Sequence, residues 1–214
     1  MNPRYYTSCK NHSTYRTVLI KPSPLAIQTI RDALSQLDDQ LFSEYTRPHL
    51  LHLTTLITTS ILSLAWCPPR SPLPKSVKPY IHKSLLHLVH VHSEVNTTSP
   101  ALTTIIVSYL AEKICQLILE SFTKRLDGRG EKYSLPALLQ ATLDVEFVNQ
   151  TLGIQYTTQK AQEYQRGVYQ ALDRGSSDEA RAGLQRELAG VKAILHGERK
   201  ATRAQLSVYP TISA

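Results

Sequence analysis

A chain of 214 residues with 42 % apolar side chains and only 8 glycines carries enough hydrophobic material for a folded core, which excludes disorder of the whole chain. Its formal net charge of +7 is moderate for this size; it permits an acidic partner, an anionic membrane surface or plain solubility and singles out none of them. Cys9, Cys67 and Cys115 lie far apart and outside any motif, which excludes a disulfide framework and suits thiols in a reducing compartment.

Residues 1–21 read as an irregular segment. They lack the apolar core of a signal peptide, so the expected location is cytosolic, and the Asn-x-Ser/Thr triplets at Asn11, Asn96 and Asn149 are chance sequences. From 22 to 127 the spacing predicts a helical bundle region. Ser23 and Pro24 form a cap and first-turn signal for a helix reaching Glu44 or beyond, with Ile27, Ile30, Leu34, Leu37 and Leu41 spaced as in the core of a helix pair. A second helix is expected from about Pro48 to Trp66. Its stretch from His49 to Pro69 has no charged residue and the length of a membrane span, but its threonines and serines make it too polar. Leu53, Leu56, Ile57, Ile61 and Leu64 form a stripe that suits a buried helix, and no transmembrane segment is expected.

The prolines at 68, 69, 72 and 74 make residues 67–78 an extended connector. A third helix is predicted near Pro79 with Ile81, Leu85, Leu88 and Val89 inward, losing its pattern around Asn96. Ser99 and Pro100 then start a fourth, with Leu102, Ile106, Tyr109, Leu110, Ile114, Leu117 and Ile118 facing a core. The glycines at 128 and 130 predict a loop over 128–133.

A C-terminal helical region is expected over 134–197. Ser134 can cap a fifth helix, Pro136 is tolerated in its first turn and Gly153 offers its stop. Leu138, Ala141, Val145, Val148 and Leu152 form one stripe, while Asp144, Glu146 and Asn149 fall mostly off it and the two acids read as surface groups. A sixth helix follows Thr157 or Thr158 with Ala161, Tyr164, Val168 and Leu172 inward. A seventh starts at Ser176, which has capping-box spacing to Glu179, and carries Ala180, Leu184, Leu188, Val191 and Leu195. Residues 198–214 are expected as a flexible tail. The fold class is therefore all-α, an antiparallel stack of about seven helices.

Reaction chemistry is not legible in this order of residues. His82, His87, His90 and His92 cluster in one helix, yet no HExxH pattern accompanies them and no metal ligands are assigned. Asp144 and Glu146, two apart on a helix, point in different directions. A nucleophile elbow, a Walker-type loop and a dinucleotide fingerprint are all lacking, so no catalytic or cofactor-binding residue is expected. Between Glu44 and Glu94 no acidic residue occurs, while Arg47, Arg70, Lys75, Lys78 and Lys83 do, which predicts an electropositive surface. Arg199, Lys200 and Arg203 add charge near the end. Neither a clustered recognition helix nor interleaved aromatics are present, so nucleic acid is not the expected partner. The alternative to a protein-binding helical surface is a basic module that binds acidic lipid or nucleic acid.

QATLDVEFVNQTL (Gln140 to Leu152), QYTTQKA (Gln155 to Ala161), YQALDRG (Tyr169 to Gly175) and DEARAGLQREL (Asp178 to Leu188) occur here in that order. In order and spacing they resemble the C-terminal region of the fungal exocyst subunit Sec-five, exocyst complex component two. Weaker similarity extends through KPYIHKSLLHLVHVHSEV (Lys78 to Val95) and LSQLDDQLFSEY (Leu34 to Tyr45). The resemblance implies a rod of stacked helical bundles of the multisubunit tethering-complex type. It also implies a non-catalytic role in tethering secretory vesicles in Golgi-to-plasma-membrane transport, with other exocyst subunits as partners. The location so implied is cytoplasmic and peripheral, at plasma-membrane sites of secretion.

Overall fold

The computed structural model describes residues 24–67, 71–129 and 132–209. Among them lie six α-helices: α1 (Pro24–Leu62), α2 (Pro79–Thr98), α3 (Pro100–Arg129), α4 (Leu135–Tyr156), α5 (Gln159–Arg174) and α6 (Asp178–Thr202), with one 3-10 turn at Leu64–Trp66. The described part is all-helical apart from one isolated parallel bridge between Tyr133 and Ser176. The expected irregular segment at 1–21 lies outside the described residues.

Six helices replace the expected seven because α1 runs through Pro48, where a second helix was predicted to start. Proline has no N–H to give to the carbonyl four residues earlier. Here that carbonyl belongs to Glu44, and both residues are exposed, so water can satisfy it. An Arg47–Glu44 ion pair of 2.6 Å spans the same turn.

The chain divides into two compact units, Met1–Phe42 and Ser43–Ala214. In the first, the described residues are the beginning of α1, and local bonds support its helix: Gln28 Nε2 donates to Asp32 Oδ1 at 2.8 Å and Thr29 Oγ1 to the Leu25 carbonyl at 2.9 Å.

In the second unit, α3 packs against α2, α4 and α5, and α4 also meets α2, α5 and α6. Helices α3 and α4, on either side of residues 128–133, thus share one core. Leu53, Ile57 and Ile61 of α1 are fully buried, as their stripe predicts. The helix closes under Arg125 of α3, whose Nη1 donates to the carbonyls of Ile61 (2.6 Å) and Ser63 (2.9 Å) while its guanidinium lies 5.0 Å from the Trp66 ring. In α2, Ile81, Leu85 and Leu88 are buried, followed by Val91 and Val95, and Val89 is half-buried. Ile106, Leu110, Ile114 and Ile118 of α3 face the core, whereas Leu102, expected with them, is exposed in its first turn.

Among the described residues, α3 over Pro100–Gly128 is the one helix long and apolar enough to cross a membrane, with a mean hydropathy of 1.5 in its most apolar window. Its contacts with three neighbouring helices give those residues a protein core to fill.

The ends of the later helices differ in detail from expectation. Ser134 occupies the N-cap of α4, but its side chain makes no capping bond. Gly153 adopts φ 61°, ψ −175°, interrupting α4 at the expected stop with a conformation that glycine tolerates and L-residues do not. Thr158 Oγ1 accepts the Ala161 N–H at 3.0 Å and so starts α5. For α6 the cap is Ser177, not Ser176: Ser177 Oγ accepts the Ala180 N–H at 3.2 Å, and the buried Ser176 Oγ donates to the Leu172 carbonyl at 2.6 Å. The expected tail from 198 instead continues α6 to Thr202, after which Leu206 and Tyr209 are buried and Tyr209 Oη donates to the Leu85 carbonyl at 3.2 Å.

Candidate protein interface

The first unit presents the most unusual surface. Ile27, Ile30, Leu34, Leu37 and Leu41 recur at steps of three and four, yet each is 44–59 % exposed, and Leu25 beside them is 77 % exposed. The stripe expected as the core of a helix pair therefore has no cover among the described residues. A row of large aliphatic side chains in water gives nothing to folding and is what a helix presents to another helix. Arg31, Asp32, Asp38 and Asp39 flank it and are also exposed.

The polar residues of α4 behave in the opposite way. Fifteen of its residues are buried, on every side of the helix, so the predicted division into a core stripe and a polar face fails. Asp144, expected at the surface, is 0 % exposed. Its Oδ1 accepts from the Lys78 backbone N–H (2.9 Å) and Gln140 Nε2 (2.8 Å), and its Oδ2 from Tyr80 Oη (3.1 Å). Burial raises the carboxyl from 3.8 to about 7 against the pull of these donors. Lys78 is the N-cap of α2 and supplies no side-chain cap, so the Asp144 carboxyl serves that helix start from another helix. Gln140 extends the bridge with a 3.2 Å bond to the Ser76 carbonyl. Glu146 is half-buried and accepts from Tyr169 Oη of α5 at 2.6 Å, while Asn149 Nδ2 donates to the same hydroxyl at 3.2 Å. The signal for this burial was available: in α4 large apolar residues off the predicted stripe also stand beside Asp144 and Glu146, at Leu143 and Phe147.

The four histidines of α2 go to separate neighbours. His82 Nε2 lies 3.3 Å from Glu198 of α6, His90 lies 3.9 Å from Glu94, and His92 meets the Tyr156 ring. His87 Nε2 shares a 3.1 Å hydrogen bond with His49 Nδ1, and its ring centroid is 4.6 Å from that of His52. Burial first, then His52, His49 and His90, lower His87 from 6.5 to about 4, so it is neutral at physiological pH. Among the described residues no group of three or more His, Cys, Asp or Glu is placed to hold a metal ion.

Cys115 is buried, its thiol raised to about 11 by burial, and Gln165 Nε2 lies 3.6 Å from its sulfur; such a thiol is inert. Of the acid-free stretch, Lys75 and Lys83 are exposed, Lys78 is half-buried, Arg47 pairs with Glu44, and Arg70 lies outside the described residues. These cations share no clustered helix face.

Comparison with known proteins adds one assignment. No curated protein and no solved structure matches this chain. The family model for exocyst complex component Sec5 matches residues 20–208, nearly the whole chain and including both the exposed α1 stripe and the Asp144 network, and the chain belongs to that family.

Proposed function

We propose that this chain acts as a non-catalytic subunit of the exocyst, cytoplasmic and peripheral at sites of secretion, and that it helps tether secretory vesicles to the plasma membrane through protein contacts. The observation that carries this reading is the uncovered aliphatic stripe of α1, joined to membership of an exocyst family. Assembly by helix contact needs an apolar row with a charged rim, and residues 27–41 have both. The buried groups of the second unit serve its own packing: Tyr80 and Gln140 both donate to Asp144, and Cys115 is held as a thiol.

The test is co-purification of the tagged chain from cells that secrete actively, followed by mass spectrometry. Other exocyst subunits should be recovered with the wild-type chain and lost with Leu34→Asp. Recovery of none of them with the wild-type chain would overturn the proposal.

A further inference from the structure

The α1 stripe can be given a geometry. With Ile27 at heptad position a, the row runs Ile27 (a), Ile30 (d), Leu34 (a), Leu37 (d) and Leu41 (a), and the next d position is Glu44, which ends the seam. Fourteen steps at 1.5 Å per residue make it about 21 Å long. A solitary helix of this size is marginal in water, and here every described side chain from Pro24 to Leu41 is exposed.

We propose that residues 30–41 pair with the same segment of a second copy of the chain, antiparallel, about a twofold axis between Ser35 and Gln36. That axis sets Leu34 against Leu37 of the second copy and Ile30 against its Leu41, so each of these apolar layers joins an a residue to a d residue, while Ile27 falls opposite Glu44 at the end of the seam. It also decides which charges meet. Arg31 and Asp38 both occupy position e, and in the antiparallel register Arg31 of each copy stands beside Asp38 of the other. The twofold axis makes this contact twice, with opposite charges both times. In a parallel pair, Asp38 would instead face Ala33, and no ion pair would form. The interface is isologous, as a closed dimer requires, and leaves no open end for further copies.

Self-pairing stands independently of the tethering role: a chain that never joins the exocyst can still dimerise this way, and a chain that joins can do so after exchanging one helix for another.

The experiment is sedimentation equilibrium of the full chain over about 1 µM to 1 mM. The wild-type chain should move from monomer to dimer within that range. Leu34→Asp sets a carboxylate in two core layers and should weaken the dimer about a hundredfold or more. Because Leu34 is exposed, its thermal melt should match wild type, which separates lost pairing from lost folding. Arg31→Asp alone and Asp38→Arg alone each turn two attractions into two repulsions and should weaken the dimer about tenfold. An equimolar mixture of those two variants restores both attractions and should dimerise as the wild type does. A chain that stays monomeric throughout overturns the proposal, as does a dimer indifferent to Leu34→Asp. A dimer that tolerates both charge reversals is not antiparallel and overturns it too. If the monomer takes up only a helix of another exocyst subunit, the seam belongs to that subunit.

Discussion

Asp144→Asn removes a titration while keeping the hydrogen bonds. The asparagine Oδ1 can accept from the Lys78 N–H and from Gln140, and its Nδ2 can donate to the Tyr80 oxygen, because a hydroxyl accepts as well as donates. What disappears is ionisation. Burial raises the Asp144 carboxyl from an ordinary 3.8 to about 7. Folding therefore favours its protonated form; the associated stability is fully present below the unfolded value and is lost as pH rises through the folded one. At 1.36 kcal/mol per pH unit, the loss between those two values is about 4 kcal/mol. Urea unfolding of wild type and Asp144→Asn, followed by circular dichroism, measures it. The variant's stability relative to wild type should rise by about 3–4 kcal/mol between about pH 4 and pH 8. His87 titrates in the same window with the opposite sign, but it is present in both proteins and cancels in the difference. A difference that stays constant over that range would refute the reasoning and make Asp144 an ordinary ionised carboxylate.

His87 supplies its own test: held near 4 against an ordinary 6.5, it stabilises the fold above about pH 6.5, and that stability is lost as pH falls through about 4. His87→Gln should flatten this acid-side decline in thermal melts. Val145→Asp places an unpaired charge at a site 2 % exposed and should cost several kcal/mol, on the order of 3–5, in chemical denaturation. Arg125→Met strips the donors from the Ile61 and Ser63 carbonyls and should cost about 2–3 kcal/mol by the same assay. Gly153→Ala forces an L-residue into φ 61° and should cost about 1–3 kcal/mol, read as a lower Tm.

Helix positions were legible because apolar spacing and proline signals report on local geometry. Pro79, Pro100 and Pro136 each stand at the start of a helix, and Gly153 interrupts one. Pro48 misled because the same residue breaks a buried helix and is tolerated in an exposed one, and exposure is a tertiary property. Ser176 misled by one residue because two adjacent serines offer the same cap, and the neighbouring Leu172 carbonyl claims the first. The stripe of α1 was read correctly as apolar and wrongly as covered, since it is exposed among the described residues: periodicity shows that a face is apolar, not which molecule covers it. The Asp144 network was illegible for a related reason, since its donors at Lys78 and Tyr80 lie more than sixty residues away.

That network answers a question raised by the composition of α4. A helix with one apolar stripe is oriented by burial alone, but α4 is buried on every side, so turning it about its axis would exchange one apolar residue for another at little cost. Its polar groups cannot be exchanged in this way. A rotation that withdrew Asp144 from the Lys78 N–H would leave a buried carboxyl and a helix start without partners, and would also pull Glu146 from the Tyr169 hydroxyl and Asn149 from its oxygen. Asp144 orients α4 toward α2, and Glu146 and Asn149 orient it toward α5, from opposite ends of a short run. Two such constraints on different sides of one helix define its rotation, and apolar packing then fills the space around it. The cost of burying Asp144, visible in its raised proton affinity, is thus the cost of choosing one arrangement among several that hydrophobic contact alone would leave nearly equal.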